Sequence, residues 1–179
     1  MKKILLAFST LCLVAGANAQ RVRSLDEISE DNSWLKVGVN AGVPVGDLSN
    51  RSGLALGAEL TGQFMRTDNF GLGVTTGYTH YFNKKNTEYS NAKDIGAIPL
   101  GMTFRYYPRP SGVFVGTDAG YTFLTNEEAK DGGFYIRPQV GYHNYDWNVF
   151  GFYNQVFRKD YMMDLQRFGI GVTHNIRFK

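Results

Sequence analysis

Three histidines, His80, His143 and His174, are the side chains of this chain best suited to moving protons near neutral pH. To activate a nucleophile, a histidine needs a serine or cysteine within hydrogen-bond reach and a carboxylate to orient it. Here the three stand in separate segments, no serine lies one or two residues from any of them, and the only cysteine is Cys12. Scattered histidines are equally poor material for a metal centre. No catalytic residue, metal or cofactor is expected. The Gly71-x-Gly73 and Gly169-x-Gly171 patterns resemble phosphate-binding turns in isolation, but no helical pattern follows either, and both read as strand glycines beneath packed aromatics.

The charges are better organised. Lys36, Glu59, Arg105, Asp118, Arg137 and Arg177 lie in stretches that alternate apolar residues with small or polar ones, and all six fall on the small, polar phase. Glu59, Asp118 and Arg137 stand near the middle of their stretches, with Gln63, Gln139 and Gln155 as candidate neighbours. If that phase faces a narrow interior, the charges must pair, because desolvating each one alone is costly. The expectation is an interlocked polar network in which Glu59 and Asp118 accept hydrogen bonds from Arg137 and its neighbours, closing any continuous water channel. Lys36, Arg105 and Arg177 are expected to gather at one mouth.

The elements that would position these residues are strands. From Trp34 onward a period of two recurs in eight runs: 34–45, 54–65, 70–82, 94–108, 113–124, 133–144, 148–158 and 165–178. In the last, Phe168, Ile170, Val172, Ile176 and Phe178 share one phase with His174, and Gly169, Gly171, Thr173, Asn175 and Arg177 share the other. The run 148–158 is ambiguous, because Phe150-Gly151-Phe152-Tyr153 is bulky on both phases. Connections also alternate. Segments 46–53, 83–93, 125–132 and 159–163 are longer and polar, whereas 66–69, 109–112 and 145–147 are tight and rich in turn residues. Long loops at one end and short turns at the other are the pattern of an outer-membrane barrel, with both termini at the periplasmic end.

Alternation alone does not say which phase is wet. A soluble lipocalin-like barrel would expose its second phase to water and carry Lys and Glu there. Here that phase holds Gly38, Asn40, Gly57, Thr61, Gly73, Thr75, Gly77, Gly101, Thr103, Gly116, Gly120 and Thr173, which suits the crowded interior of an eight-stranded barrel. The apolar phase is then left for lipid. Phe64, Phe70, Tyr106, Tyr107, Trp147 and Phe178 near the short turns, and Tyr78, Phe82, Phe123 and Phe134 near the long loops, are placed as interfacial girdles. The fold class expected is all-β, an eight-stranded antiparallel up-and-down transmembrane β-barrel.

Composition agrees. The chain has 179 residues, enough for one domain. Glycine, at 21 residues, exceeds its usual ~7% share without a collagen period. Residues 1–19 combine Lys2-Lys3, an apolar stretch and Ala17-Asn18-Ala19, which together read as a secretory signal peptide. Beyond it nothing approaches the ~18 apolar residues of a spanning helix. Without the two leader lysines the formal charge falls from +3 to +1, far from the basic surface a nucleic-acid binder needs. A mature chain starting at Gln20 would hold no cysteine. Residues 20–33 lack an apolar period and read as a periplasmic lead-in, whose Asp26, Glu27, Glu30 and Asp31 could fold over the basic mouth.

Over 34–179 the chain resembles the small eight-stranded outer-membrane barrels of the OmpA/OmpX kind, and most closely the porin-like outer-membrane β-barrel domain proteins of Bacteroidota. The strand from Phe168 to Phe178 looks like the C-terminal signal such proteins show to their insertion machinery, although Lys179 follows the aromatic residue on which the family usually ends. The resemblance implies a monomer in the cell outer membrane. Its partners would be outer-membrane lipid, lipopolysaccharide and, during insertion, the assembly machinery. Some barrels of this size are lipid-modifying enzymes, but their His–Ser–carboxylate constellation is not found here. The expected function is therefore non-enzymatic, with the barrel as a frame and the long loops as recognition elements. Lys84 and Lys85 are candidates there for lipopolysaccharide phosphates. A small transport barrel and a secreted soluble ligand carrier are the alternatives.

Overall fold

The computed structural model describes residues 33–84, 93–125, 132–144, 146–158 and 163–178, except the side chains of 177 and 178. Lys85, the leader and nearly all of the lead-in lie outside the described residues; Ser33 opens the first strand.

Eight strands close into an antiparallel barrel in chain order: β1 (Ser33–Val45), β2 (Ser52–Thr67), β3 (Phe70–Asn83), β4 (Ile95–Tyr106), β5 (Gly112–Leu124), β6 (Gly133–His143), β7 (Trp147–Phe157) and β8 (Leu165–Phe178). Closure comes from β1 pairing with both β2 and β8, so that Val39 lies opposite Ala58 on one side and Val172 on the other. A closed sheet leaves no edge strand for aggregation. Among the described residues no helix is long and apolar enough to cross a membrane, which leaves strands free to do so.

The short turns are fixed by side chains that occupy backbone groups. Thr67 Oγ1 accepts from the amides of Asn69 and Phe70 between β2 and β3. Asn144 Oδ1 accepts from Asp146 and Trp147 between β6 and β7, at 2.9 and 2.7 Å. Gly112, with φ of 130°, turns the chain into β5 in a conformation that favours glycine. At the opposite end, the polar segment 46–53 is not wholly irregular: it contains one helical turn, α1 (Leu48–Arg51). Its Leu48 is fully buried against Ile95, Val156 and Leu165 in the barrel mouth. One apolar side chain in a polar loop carries no periodicity, so this turn had no pattern to announce it.

The orientation of the two phases is decided by exposure. Val39, Ile170 and Phe134 are 64, 68 and 69% exposed, whereas Thr103 and Asp118 are fully buried. An outward apolar belt around an inward polar phase inverts the arrangement of a soluble barrel and matches the lipid-facing band of a transmembrane one. The soluble-carrier alternative requires the opposite arrangement and is overturned by it.

Three expectations need correction. Tyr107 is not part of a girdle: it is fully buried in the lumen, on the opposite phase from Tyr106. The lumen also holds more than small side chains, because Trp34, Tyr81, Phe114, Tyr135, Phe150 and Phe152 all point inward and are buried. Glycines make the room. Phe150 and Phe152 lie opposite Gly171 and Gly169 on β8, and a Cβ at Gly171 would stand 2.5 Å from the Phe150 ring. This cross-strand packing resolves β7, whose Trp147, Val149 and Phe157 face out. Gln155 shares that outward phase, where it bonds Tyr153 and Asp164 and takes no part in the lumen.

The interior is layered. Toward the long loops Leu48, Ala55, Tyr81, Ile95, Tyr135, Val156 and Leu165 form one apolar cluster. Toward the short turns Trp34, Met65, Tyr107, Phe114, Phe150 and Phe152 form another. Between them on β2 comes Glu59, and one step below Tyr135 on β6 comes Arg137; the two layers thus bracket a polar one.

Candidate functional site

Antiparallel register sets the polar layer. Asp118 of β5 lies opposite Arg137 of β6 and Thr103 of β4, all on the inward phase. Arg137 donates to Asp118 Oδ2 through Nε at 2.8 Å and through Nη2, and its Nη1 donates to Glu59 Oε2 at 2.9 Å. Arg105 Nη1 donates to the other Asp118 oxygen at 2.8 Å and also meets the carbonyls of Phe104 and Thr117. Gln139 Nε2 adds a fourth donor group to Asp118, at 3.0 Å.

From Glu59 the network continues. Asn40 Nδ2 donates to Glu59 Oε2 at 2.9 Å, and Asn40 Oδ1 accepts from Arg167 Nη1 at 3.0 Å. Arg167 Nη2 then reaches Thr79 Oγ1 at 3.2 Å. β7 supplies Phe152, whose ring centre lies 5.4 Å from the Arg137 guanidinium carbon and 4.9 Å from that of Arg167. Every strand therefore contributes to this layer. Glu59, Asp118, Arg137 and Arg105 come together in it. Arg105 leans into the middle and does not join a basic mouth.

Lys36 lies apart, within the lower aromatic cluster. Its Nζ donates to the Tyr107 hydroxyl at 2.8 Å and sits 5.5 and 5.4 Å from the Trp34 and Tyr107 ring centres. The same hydroxyl meets the Gln63 amide at 3.0 Å. Arg177 pairs with Trp34 across β1–β8, and its side chain is outside the described residues. The acidic lead-in that could cover this mouth also lies outside them.

Arg167 was missed by reading the sequence. Its signal was available: stepping back by two from Gly169 on the inward phase of β8 reaches it. Tyr107 was placed in a girdle for a different reason: its size and its position near a short turn argued for an interface, whereas its ring packs inside against Phe114 and His143.

The histidines occupy three unrelated places. His143 is buried at the short-turn end, with Nε2 3.2 Å from the Arg109 carbonyl and its ring against Tyr107. His174 stacks on Trp147 outside. His80 contacts Asp94 Oδ2 through Nε2 at 2.9 Å on the outer rim. The backbone amide of Asn83 and the His80 side chain together hold the Asp94 carboxyl below the ordinary carboxylate range. Among the described residues no three His, Cys, Asp or Glu side chains are grouped to hold a metal.

At the long-loop rim, Lys84 Nζ donates to the Ser49 carbonyl at 2.6 Å, and Arg51 Nη2 donates to the Lys93 carbonyl at 2.8 Å. Lys84 thus braces α1, while its exposed stem remains at the surface beside Arg51 and Lys93.

Fold and belt together define a small membrane-spanning β-barrel. No protein-family model matches the chain, and no curated protein matches it. Solved structures do. The chain is similar to a designed barrel from a study titled "De novo design of transmembrane beta-barrels", at 14% identity over 83% of this chain and 99% of that one, with a TM-score of 0.52. It is similar also to the N-terminal β-barrel domain of Pseudomonas aeruginosa OprF, at 13% identity over 81% of this chain and 98% of that one, with the same TM-score. At such identities the likeness is one of fold: an eight-stranded barrel of the outer-membrane kind.

Proposed function

We propose that this chain is a non-enzymatic protein of the bacterial outer membrane, with a lumen closed by its own side chains and with recognition carried by its long loops. The observation that carries the closed lumen is the wall-to-wall network of Arg105, Asp118, Arg137, Glu59, Asn40 and Arg167, stacked between two apolar layers. Two cavities adjoining it among the described residues hold about 20 and 10 Å³, each with space for a water or two. The outer-membrane location is supported by the lipid-facing belt and the leader pattern, and affiliation with the porin-like barrels of Bacteroidota by the resemblance of 34–179. Purified protein in planar bilayers should give no stable conductance steps, and in liposomes no solute-dependent swelling. Sustained open channels would establish the transport alternative.

Loops on rigid scaffolds are where binding usually resides. The basic rim of Arg51, Lys84 and Lys93, with Lys85 next in sequence, suits the phosphates of lipopolysaccharide. Replacing both Lys84 and Lys85 by Glu should weaken lipopolysaccharide binding in a salt-dependent way. Unchanged binding would leave the barrel as a frame without this partner.

A further inference from the structure

The outward belt that faces hydrocarbon is not smooth. On β5 its positions Val115, Thr117 and Ala119 carry short side chains. Larger ones stand across from them on both neighbouring strands. Tyr106 and Phe104 of β4 lie opposite Val115 and Thr117, and Pro138 and Ile136 of β6 lie opposite Thr117 and Ala119. A low floor between two raised walls makes a slot of about 300 Å³, bordered also by Phe70 of β3. Arg105 touches it, but its guanidinium is turned inward to Asp118 at 2.8 Å. The Thr117 hydroxyl is directed at the Asp118 carbonyl, 3.5 Å away. What the slot presents to an occupant is therefore mainly carbon.

The slot opens onto the lipid-facing belt and is continuous with it, since Phe70 and Ile136 are themselves exposed belt residues. A chain lying in it meets protein on three sides, whereas on a flat stretch of belt it meets protein on one, so dispersion favours residence there. At ~30 Å³ each, the liquid share of a water molecule and close to that of a methylene, the slot takes roughly ten chain carbons. Thr117 is near the middle of β5 and Tyr106 ends β4, which puts the slot in the short-turn half of the barrel. The turn joining those two strands carries Arg109, which is exposed and cationic.

We propose that this slot binds one acyl chain of a phospholipid of the periplasmic leaflet, whose phosphate meets Arg109. The proposal rests on the outer-membrane location inferred for the chain. The test titrates palmitoyl-oleoyl-phosphatidylglycerol into the full protein folded in detergent and counts lipid adducts by native mass spectrometry. Wild type should saturate with one tightly held lipid. Thr117→Phe raises the floor of the slot and should increase the half-saturating lipid concentration at least tenfold. Val172→Phe, on the belt of β8, should leave it unchanged. Arg109→Gln should raise it about threefold, as for an exposed ion pair. Should Thr117→Phe fail to fold, Val115→Phe takes its place. Binding undiminished in both slot variants, or equally diminished in Val172→Phe, would overturn the site, as would a second copy of the barrel held where the lipid is expected. The adduct count is read in detergent and does not depend on the outer-membrane location, which cell fractionation tests separately.

Discussion

Asp118→Asn removes one charge from the centre of the lumen without changing the volume of the side chain. In the wild-type protein the carboxylate is fully buried and accepts four hydrogen bonds, one from Arg105, two from Arg137 and one from Gln139. The asparagine retains one acceptor oxygen, and its amide hydrogens then point at arginine donors. Arg137 keeps Glu59, but Arg105 is left with the main-chain carbonyls of Phe104 and Thr117. Breaking a buried pair so that one charge remains uncompensated costs about 3–5 kcal/mol. Glu59→Gln removes a lesser share, because Arg137 retains Asp118, and the loss of one charge-assisted bond gives about 1.5–3 kcal/mol. Urea unfolding in lipid vesicles measures both, with Trp34 reporting from inside the lumen and Trp147 from the outer belt. The buried location also requires that added salt leave the difference unchanged. If Asp118→Asn cost less than about 1 kcal/mol, or less than Glu59→Gln, the network would not be what holds the lumen together.

The outward belt predicts an asymmetry between neighbouring positions. Val39→Arg places a charge at an exposed mid-strand site and should destabilise the barrel in lipid by about 2–4 kcal/mol, as for a charge at mid-bilayer; an unfolding titration showing no loss would deny lipid contact at this position. At the outer rim, the depressed Asp94 carboxyl sets a pH dependence of known sign. Because the folded value lies below the unfolded one, its contribution is fully present above the ordinary carboxylate range and is lost as pH falls through the lowered value. The stability difference between wild type and Asp94→Asn should therefore be constant at neutral pH and shrink in acid, read from paired unfolding curves; a difference growing toward low pH would contradict the hydrogen bonds assigned to Asn83 and His80.

Strand number, order and nearly all boundaries were legible because period two is a local property, carried independently by seven of the eight runs and blurred only in 148–158, where Phe150-Gly151-Phe152-Tyr153 is bulky on both phases. The expected run 113–124 and β5 (Gly112–Leu124) differ by one residue, and the expected run 94–108 overshoots β4 because Pro108 continues the apolar run after the ladder has ended. Which side chains meet inside was legible only for groups whose chemistry forbids isolation. Glu59, Asp118 and Arg137 had to find partners, and mid-strand position put them at one height. Arg105 was misplaced at the mouth because a Cα position on a strand does not reveal where a long side chain ends, and this one spans back to Asp118.

The aromatic interior exposes a deeper limit. Tyr107 and Phe150 are indistinguishable from girdle residues by type and by distance from the turns, and their burial depends on what lies across a strand pair that is distant in sequence. Phe150 faces Gly171, and Tyr107 spans to Gln63 and Lys36 on strands reached only after closure. Glycines and bulky rings at opposed inward positions are one packing unit in a narrow barrel, so neither half is interpretable without the register. The same dependence explains Arg167. Its charge is unremarkable on β8, and becomes informative only when Asn40 and Thr79, from two other strands, are found to be its hydrogen-bond partners.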